Sequence, residues 1–510
     1  MTGRTVVRRS APLLATLVLL ATADARATTY TLSTTADDAV VNGNCTLREA
    51  LRAARDDAPV DACAAGTSFD TIVLPAGSYP FGGEETLNGS GTVRIHGQTF
   101  DPFAVQINLG NAGRFLTLSG SGSYEIRGVE IANGWTGGGS EGGAVYALAV
   151  PLAIRDFRFV SNDAGYRGGA LSYISSSAAA GLDLANGTFS SNTISGADLT
   201  SKMGGAAYVE VTAGAHAELR DVAFLGNSAA ETGSSGSVAK GGALYVTALG
   251  AGSSARLART LFQSNSISNA STEVWGWAEG GALAGFAGEG GRIEVFDCRV
   301  LANSASAARV GAVEDPGVSL QASFATLSVD RCLLDANSAA SASDARDFLL
   351  LAIGDTALAA VTNTQITYGS GLGLWVETDS KVDLGHLTIA DYPVQGVYLS
   401  NLAPGILRLQ NSVIAFNALD LGVVGSISQQ TNFVGGNPLF VNQPIGDYRL
   451  SAASPAIDAG TDAVVTLRLA DADHGARRVG TTDQGCYERG GLFADDFEVG
   501  DSGSWSLTAP

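Results

Sequence analysis

The sequence predicts an all-β solenoid, a right-handed parallel β-helix of about twelve coils with a short N-terminal capping helix. Three observations lead to this fold class. An eleven-residue pattern that ends in Asn recurs along the chain, and a Gly-Gly-Ala pattern recurs between its copies. Gly supplies 65 of the 510 residues, which suits tight turns between strands and argues against stacked helices.

The Asn-terminated pattern has apolar residues three, eight and ten positions before its last residue. Apolar and polar residues alternate in its first half, which predicts a short strand with one buried face. Asp156 and Asn186 stand six positions before the Asn, where the inward parity changes, so we expect the chain to bend there. The clear copies are 152–162, 182–192, 217–227, 255–265, 293–303, 327–337 and 407–417, and the weaker ones are 72–82, 93–103, 124–134, 359–369 and 382–392.

Stacked coils place equivalent residues one strand spacing apart, so this pattern predicts two columns of side chains. Repeated Asn residues form an amide ladder. Repeated Phe residues form an aromatic stack inside the solenoid. The two columns are Asn162, Asn192, Asn227, Asn265, Asn303 and Asn337, and Phe159, Phe189, Phe224 and Phe262.

The Gly-Gly-Ala segments predict a third strand in each coil, entered through the Gly pair. The alternative is a two-strand coil in which these segments are loop motifs. If they are strands, their parity directs Tyr146, Tyr208 and Tyr245 outward as a row of exposed rings. Such a row either stacks against sugar rings or supports neighbouring loops as a cross-strand aromatic row. The segments are 142–146, 168–173, 204–209, 241–246 and 280–285.

A second aromatic patch is predicted at Trp275 and Trp277, in the longest loop between strands. These rings either bind a ligand or fold the loop onto the coil. Cys298 and Cys332 recur at one inward position, where they form a disulfide or remain two buried thiols.

Both open ends of a solenoid must be covered. Thr46 and Glu49 make a capping box, so we expect a helix over the first coil, stapled by a disulfide between Cys45 and Cys63. At the other end, 448–460 is expected to form a final pseudo-coil with Leu450 and Ile457 inward.

The N-terminus predicts export. Basic residues precede an apolar stretch at 11–21, and Ala25-Arg26-Ala27 then provides a cleavage pattern, so we place a signal peptide over 1–27. We therefore expect a secreted or cell-surface protein, monomeric, with no transmembrane segment in the mature chain. With 30 basic and 50 acidic residues the net charge is −20, which argues against nucleic acid as a partner.

Three further segments resemble known families of secreted bacterial proteins. CTLREALRAAR (45–55) resembles the CSLREA domain, and the Gly-Gly-Ala and Phe-x-x-Asn motifs are similar to polymorphic outer membrane protein repeats. NPLFVNQPIGDYRLSAASPAIDAG (437–460) resembles the choice-of-anchor Q domain, although Cys486 stands where that family would have Ala. The resemblance implies an N-terminal cap at 28–66, a β-helix at 67–430, a C-terminal cap at 431–490 and an acidic-aromatic tail at 491–510.

No catalytic residue can be assigned from the sequence. Lys202 and Lys240 precede Gly pairs, where they either line a groove or aid solubility. The four His residues do not have the spacing of metal ligands. We expect no cofactor and no metal, a Ca²⁺ ion being unsupported. The sequence favours a non-enzymatic protein that binds a polysaccharide or surface glycan, or a structural module. The alternative is a polysaccharide lyase or glycoside hydrolase.

Overall fold

In the computed structural model, the described residues are 27–195, 201–233, 238–272, 276–308, 314–340, 345–463 and 470–490. Within these ranges the chain is almost entirely β-structure, with one α-helix at Leu47–Asp56 and a 3-10 turn at Gln443–Ile445. The strands form a 23-stranded sheet, a twelve-stranded sheet and three smaller sheets of seven, four and two strands.

The strands of the 23-stranded sheet are Thr28–Thr31, Phe69–Leu74, Gly77–Pro80, Thr92–Gly97, Val105–Asn108, Ser123–Ala132, Leu152–Val160, Gly181–Ser190, His216–Leu225, Ser254–Ala258, Leu261–Gln263, Arg292–Phe296, Arg299–Leu301, Thr326–Asp330, Leu333–Asp335, Leu358–Thr362, Gln365–Thr367, Lys381–Gly385, Thr388–Ala390, Ile406–Gln410, Val413–Ala415, Ile427–Gln430 and Phe433–Val434.
Those of the twelve-stranded sheet are Glu85–Leu87, Leu116–Leu118, Val145–Leu148, Leu171–Ser175, Ala207–Thr212, Leu244–Leu249, Leu283–Gly288, Val318–Ser323, Arg346–Ile353, Leu372–Thr378, Gln395–Asn401 and Leu421–Val424.
The seven-stranded sheet holds Trp135–Thr136, Asp163–Ala164, Thr193–Ile194, Ser228–Glu231, Ser266–Asn269, Ser304–Ala307 and Ser338–Ala339.
The four-stranded sheet holds Lys202–Met203, Ala239–Lys240, Ala278–Glu279 and Glu314–Asp315, and the two-stranded sheet holds Phe440–Asn442 and Asp447–Leu450.

Successive coils lie flat on one another in parallel register, which confirms the predicted parallel β-helix. Ile154 pairs with Ile126 on one side and with Leu184 on the other, so equivalent residues of the repeat stack directly. The inward residues of successive coils join one continuous buried cluster that runs from Tyr30 to Ile414, short of the last coil. The core is therefore a column, and each coil buries its apolar face against its two neighbours.

Both predicted columns of side chains are present. Asn227 illustrates the amide ladder: its Nδ2 donates to Oδ1 of Asn265 at 2.9 Å and to the carbonyl oxygen of Phe189 at 3.0 Å. In the aromatic stack, Phe224 lies parallel to Phe189 and to Phe262, with ring centroids 4.9 and 5.0 Å apart.

The bend predicted six positions before the Asn is confirmed by the backbone. Asp156, Asn186 and Asp221 have φ values of 50°, 53° and 55°, in the left-handed region that short polar side chains tolerate. A second left-handed residue, such as Ser161, directly precedes the Asn. Together these two corners turn the chain around the core.

The Gly-Gly-Ala segments enter strands of the twelve-stranded sheet, so the two-strand alternative is wrong. The first Gly of each pair has positive φ, for example 74° at Gly204. The second Gly packs against the coil above: a Cβ on Gly205 would lie 2.0 Å from the carbonyl oxygen of Gly242. Both requirements are met by glycine because it lacks a Cβ.

The N-terminal helix covers the first coil, as predicted. The Thr46 side chain and the Glu49 carboxylate form the reciprocal capping box. Leu47 and Leu51 are buried in the core cluster, and Cys45 is joined to Cys63 by a disulfide. Arg48 Nη1 donates to Glu85 Oε1 at 2.8 Å, which ties the helix to the first strand of the twelve-stranded sheet.

Several details of the repeat differ from the prediction. The copy predicted at 93–103 is wrong in its second half. The second strand of that coil is formed by 105–108, and Phe103 is 76% exposed. In the copy at 72–82 the first strand is shifted by two residues, since Ile72 pairs with Ile95. Two turns were missed: Thr28–Thr31 pairs with the first predicted copy, and Ile427–Gln430 follows the last one.

The predicted pseudo-coil at 448–460 is wrong. Asp447–Leu450 pairs antiparallel with Phe440–Asn442, and the chain then runs back along the outside of the 23-stranded sheet. Leu450 is buried, but against Val413 and Ala415 on that outer face. Further along, Cys486 N donates to Thr388 Oγ1 at 3.0 Å. The sequence shows the apolar residues of this segment but not which face they cover.

Cys298 and Cys332 are adjacent inward residues, and both are free thiols. The Cys332 thiol is fully enclosed, and burial followed by its contact with Cys298 raises its pKa well above the ordinary value. Of the two alternatives that the sequence leaves open, the structure therefore has the buried thiols.

Candidate functional site

The predicted tyrosines lie in one row on the outer face of the twelve-stranded sheet. Tyr146 pairs with Ser172, Ser172 with Tyr208, and Tyr208 with Tyr245. The same row continues over the following coils as Ala284, Ser319, Leu349, Trp375 and Tyr398. The outward parity is thus confirmed, and the row extends over more coils than the sequence indicates.

The expectation that all three rings are exposed is wrong. Tyr208 is 2% exposed, whereas Tyr146 and Tyr245 are half-buried. Tyr208 stacks on Tyr245 with centroids 5.6 Å apart and ring planes 14° from parallel, and the Arg167 guanidinium lies 4.6 Å from its centroid. Its hydroxyl donates to Glu210. Burial, and then this hydrogen bond, raise the pKa of Tyr208, so the hydroxyl stays protonated.

A row of residues, all of them charged except Met203, stands beside the tyrosine row. It contains Glu141, Arg167, Met203, Lys240, Glu279 and Asp315, which occupy one register position in successive coils through the four-stranded sheet and its isolated bridges. We call the space between the two rows the tyrosine groove. Its floor is the row from Tyr146 to Tyr398, and its wall is the row from Glu141 to Asp315.

The charged groups of the wall are paired with one another and with the floor. Lys240 Nζ lies 2.9 Å from Glu279 Oε2, and Arg346 Nε donates to Asp315 Oδ1 at 2.9 Å. Burial lowers the pKa of Lys240, but the attraction and hydrogen bond of Glu279 together with Tyr245 and Asp315 outweigh it, so the net shift is upward and the amine stays an ammonium. Complete burial raises the pKa of Asp315 to about 7, although Arg346 acts in the opposite direction.

The two lysines singled out in the sequence are not solubility residues. Lys240 lines the groove, as one of the two sequence alternatives has it. Lys202 is fully buried on the other side of the wall, where its Nζ donates to the carbonyl oxygen of Gly165 at 2.5 Å. Lys202 and Lys240 belong to neighbouring columns of the four-stranded sheet. Because adjacent residues of a strand point to opposite faces, one lysine lines the groove and the other is buried.

A cavity of about 240 Å³ opens in the groove next to Tyr245. Its floor is formed by Ala284 and Ser319, whose small side chains leave space between larger ones, and Gly285 also lines it. Lys240 and Glu279 form one side, and Phe286 and Gln321 form the other. The cavity therefore combines an aromatic ring, an ion pair and neutral hydrogen-bonding groups, which is the mixture that a polar ring-shaped ligand requires.

A second aromatic pair lies further along the floor. Trp375 and Tyr398 have centroids 4.1 Å apart, and the Arg346 guanidinium lies 5.4 Å from the Trp375 ring. Tyr245 and Trp375 are separated by four strand spacings, or about 19 Å at ~4.8 Å per strand. The groove thus offers an aromatic surface on each side of the small-residue floor.

The predicted tryptophan patch is only partly visible. Trp275 lies outside the described residues, and Trp277 is half-buried. The Trp277 carbonyl oxygen accepts hydrogen bonds from Asn269 Nδ2 at 2.9 Å and from Ala239 N at 3.0 Å. At Trp277 the backbone is therefore held against the neighbouring coil.

Sequence reasoning missed most of the wall, although a signal was present. Glu141, Arg167, Lys240 and Glu279 each stand directly before a Gly pair, the position that the structure places along the wall. Trp375 and Tyr398 were missed because the Gly pair is lost in those coils.

Neither a metal centre nor a membrane-spanning helix is found in the described part of the chain. No group of three His, Cys, Asp or Glu residues there is arranged to hold a metal ion. The helix within those residues is too short to cross a bilayer.

Comparisons with known proteins add little beyond the fold. No protein-family profile matches the sequence, and no curated protein matches it. Among solved structures, the chain is similar to the crystal structure of pectate lyase Pel9A, with 12% sequence identity and a TM-score of 0.38, over 91% of this chain and 96% of that one. At this score the likeness is remote, and the fold assignment depends on the strand pairing described above.

Proposed function

We propose that this protein is an extracellular β-helix protein that binds a polysaccharide along the tyrosine groove without cleaving it. The observation that carries the proposal is the cavity at Tyr245, where an aromatic ring, the Lys240–Glu279 ion pair and Gln321 surround a floor of small residues that includes Ser319. Sugar rings offer apolar faces to aromatic residues and hydroxyl groups to charged and amide side chains.

The shape of the groove favours a polymer over a single sugar. The floor crosses every coil from Tyr146 to Tyr398, and the aromatic pair Trp375–Tyr398 lies beyond the cavity in the same row. A linear chain lying along the solenoid axis contacts both aromatic surfaces at once. Once one contact has formed, the second forms at a high effective concentration, which raises the affinity for the polymer without any deep pocket.

The state of Lys240 favours binding over cleavage. A lyase needs a neutral base to remove a proton next to the sugar carboxylate while the glycosidic oxygen leaves from the neighbouring carbon. Lys240 lines the cavity, which is the observation that favours a lyase as the second candidate. Its ion pair with Glu279, however, keeps the amine charged, and a charged amine donates hydrogen bonds rather than accepting a proton.

A hydrolase is less well supported. It requires two carboxyl groups across the bond to be cleaved, one of them protonated. Asp315 has a pKa raised to about 7 by burial, but it is fully buried against Arg346 and does not line the cavity. Among the residues that the structure describes, Glu279 is then the single carboxylate at the cavity, and it is paired with Lys240.

Export is part of the same proposal. The disulfide between Cys45 and Cys63 supports it, because such bonds persist in oxidising compartments outside the cytoplasm. We propose that a signal peptide is removed near Ala27 and that 28–66, 431–490 and 491–510 act as the cap, the anchor-like domain and a sorting tail. N-terminal sequencing of the secreted protein tests the cleavage site, and a mature chain that begins elsewhere contradicts it.

Affinity electrophoresis and calorimetry on polygalacturonate, alginate and a neutral galactan, with and without Ca²⁺, test the function. We expect retention by at least one polymer and no unsaturated or reducing ends. Tyr245→Ala and Lys240→Gln should each weaken retention by about tenfold, since each removes one cavity contact. Tyr368→Ala, an exposed tyrosine outside the groove, is the matched control. Cleavage that is lost in Lys240→Gln would replace binding with the lyase, and retention unchanged in both groove variants would exclude this groove.

A further inference from the structure

The two ends of the solenoid differ in how they are covered. At the N-terminal end, the helix Leu47–Asp56 lies over the first coil, and Tyr30 beneath it is only 3% exposed. At the C-terminal end, Leu421–Val424 and Ile427–Gln430 each pair with the preceding coil on one side. Within the described residues no strand pairs with their other side. The last coil is thus an open edge.

The core of the last coil is also uncovered. Val423 pairs with Leu399 and Val434 with Ile414, so both valines occupy inward positions of the repeat. Leu399 and Ile414 are 0% exposed, whereas Val423 is 40% and Val434 is 44% exposed. The segment after the last coil leaves this face open because it runs back along the side of the solenoid, where Asn411 Nδ2 donates to the carbonyl oxygen of Thr461 at 2.9 Å.

This open end carries no charge. The stretch 421–446 contains no Asp, Glu, Lys or Arg, although charged residues make up 16% of the chain. Exposed edge strands are ordinarily protected against pairing by charged residues or proline. Leu421–Val424 is apolar and uncharged, and within the described residues no strand covers its outer side, so it is suited to pair with another strand.

We propose that the C-terminal end of one chain docks against the same end of a second copy, in place of the monomer expected from the sequence. The two copies are related by a two-fold axis, and Leu421–Val424 pairs antiparallel with its equivalent. In a two-fold interface one patch meets itself, so the patch must be self-complementary, and an uncharged apolar edge meets that condition. Elsewhere two chains of net charge −20 repel each other, which directs association to the neutral end.

The competing occupant is the chain's own C-terminal stretch, 491–510. It carries four acidic residues, Asp495, Asp496, Glu498 and Asp501, and no basic residue. Docking it on the open end would take carboxylates out of water towards a face without a cationic partner. The second copy is therefore favoured over this stretch.

Sedimentation equilibrium and light scattering on the chain from residue 28 to 510 test the proposal. We expect a dimer at micromolar concentration that dissociates at least about tenfold more readily in Val423→Lys and in Val434→Lys, because each substitution places like charges against each other across the two-fold axis. Val41→Lys, which changes an 85% exposed valine at the other end, is the matched control and should remain a dimer. Circular dichroism confirms that the variants are folded.

Three results would overturn it. A monomer at all concentrations would exclude self-association. A chain that is monomeric to residue 510 but dimeric when it ends at Gly490 would assign the open end to the 491–510 stretch. A dimer equally stable in both lysine variants would place the interface elsewhere on the molecule.

Discussion

Asn337 Nδ2 donates a hydrogen bond to Oδ1 of Asp347 at 2.9 Å, and with this contact the ladder of stacked asparagines ends on a carboxyl group. The other carboxyl oxygen accepts from the Tyr392 hydroxyl at 2.5 Å. Asp347 is fully buried, and burial raises its pKa to about 7. The nearby carboxyl groups of Asp335 and Asp315 act in the same direction.

This contact predicts a pH-dependent stability. Because the pKa of Asp347 is higher in the folded chain than in the unfolded one, the protonated form favours folding. Its contribution is complete below the unfolded pKa near 4 and is lost as the pH rises through about 7. Asp347→Asn removes the charge, and its Oδ1 can accept from Asn337 while its Nδ2 donates to the Tyr392 oxygen, so it should raise the free energy of unfolding by about 2 kcal/mol at pH 8 and change it little at pH 4. Denaturant unfolding at both pH values measures this difference, with the exposed Asp355→Asn as control. An equal effect at both pH values would contradict the assignment.

Removing one amide from the ladder should cost much more than removing an exposed one. Asn227→Ala deletes donors to Asn265 and to the Phe189 carbonyl oxygen, and leaves Asn192 without its acceptor. Unpaired buried polar groups cost about 1–3 kcal/mol each, so we expect a loss of roughly 3–5 kcal/mol. Chemical denaturation compares this variant with Asn88→Ala, an exposed position. Similar losses in the two variants would show that the ladder does not stabilise the stack.

The Gly pairs should not tolerate a side chain. A Cβ on Gly205 would lie 2.0 Å from the carbonyl oxygen of Gly242, so Gly205→Ala must push two coils apart. We expect a loss of about 3 kcal/mol or more, with reduced protection of Ala207–Thr212 in hydrogen exchange. Gly138 has open space around its Cβ position, so Gly138→Ala should unfold like the wild type. If both variants are equally stable, the close approach between coils does not contribute to the stability of the fold.

The disulfide should stabilise the N-terminal cap. Cys45 and Cys63 are 18 residues apart, and a loop of that size corresponds to about 3 kcal/mol in chain entropy. Replacing both with Ser should lower the melting temperature and speed hydrogen exchange in Leu47–Asp56. A reducing agent should then destabilise the wild type and leave the double variant unchanged. If the reducing agent does not change the melting temperature of the wild type, the helix holds the cap by packing alone.

Much of the repeat was open to prediction because stacking makes the same demand on every coil. A buried Asn is readily satisfied by another Asn one strand spacing away, and a buried Phe packs well on a second ring, so both preferences appear as periodic residues in the sequence. The copy at 93–103 shows the limit of this reasoning. Its inserted loop shifts the second strand to Val105–Asn108, and no local signal marks the insertion.

The candidate site was only partly predictable. The outward parity of Tyr146, Tyr208 and Tyr245 follows from strand geometry and was confirmed. Their exposure depends on residues that stand before each Gly pair, and the burial of Tyr208 by Arg167 was not anticipated. Each of these residues stands five positions before the floor residue of its own coil, but Arg167 covers a ring of the next coil, and the sequence does not show which coil a side chain of the wall will cover.

By itself, the sequence determined the coil, its corner residues, its amide and aromatic columns and the helix at the N-terminal end, because all of these are set by contacts that repeat or that lie close along the chain. The tertiary structure alone decided what covers the outer faces. Arg167 over Tyr208 and the segment after Val434 over Val413 and Ala415 are contacts between distant parts of the chain. Each depends on where the chain turns after leaving a strand, and apolar patterning does not encode that direction.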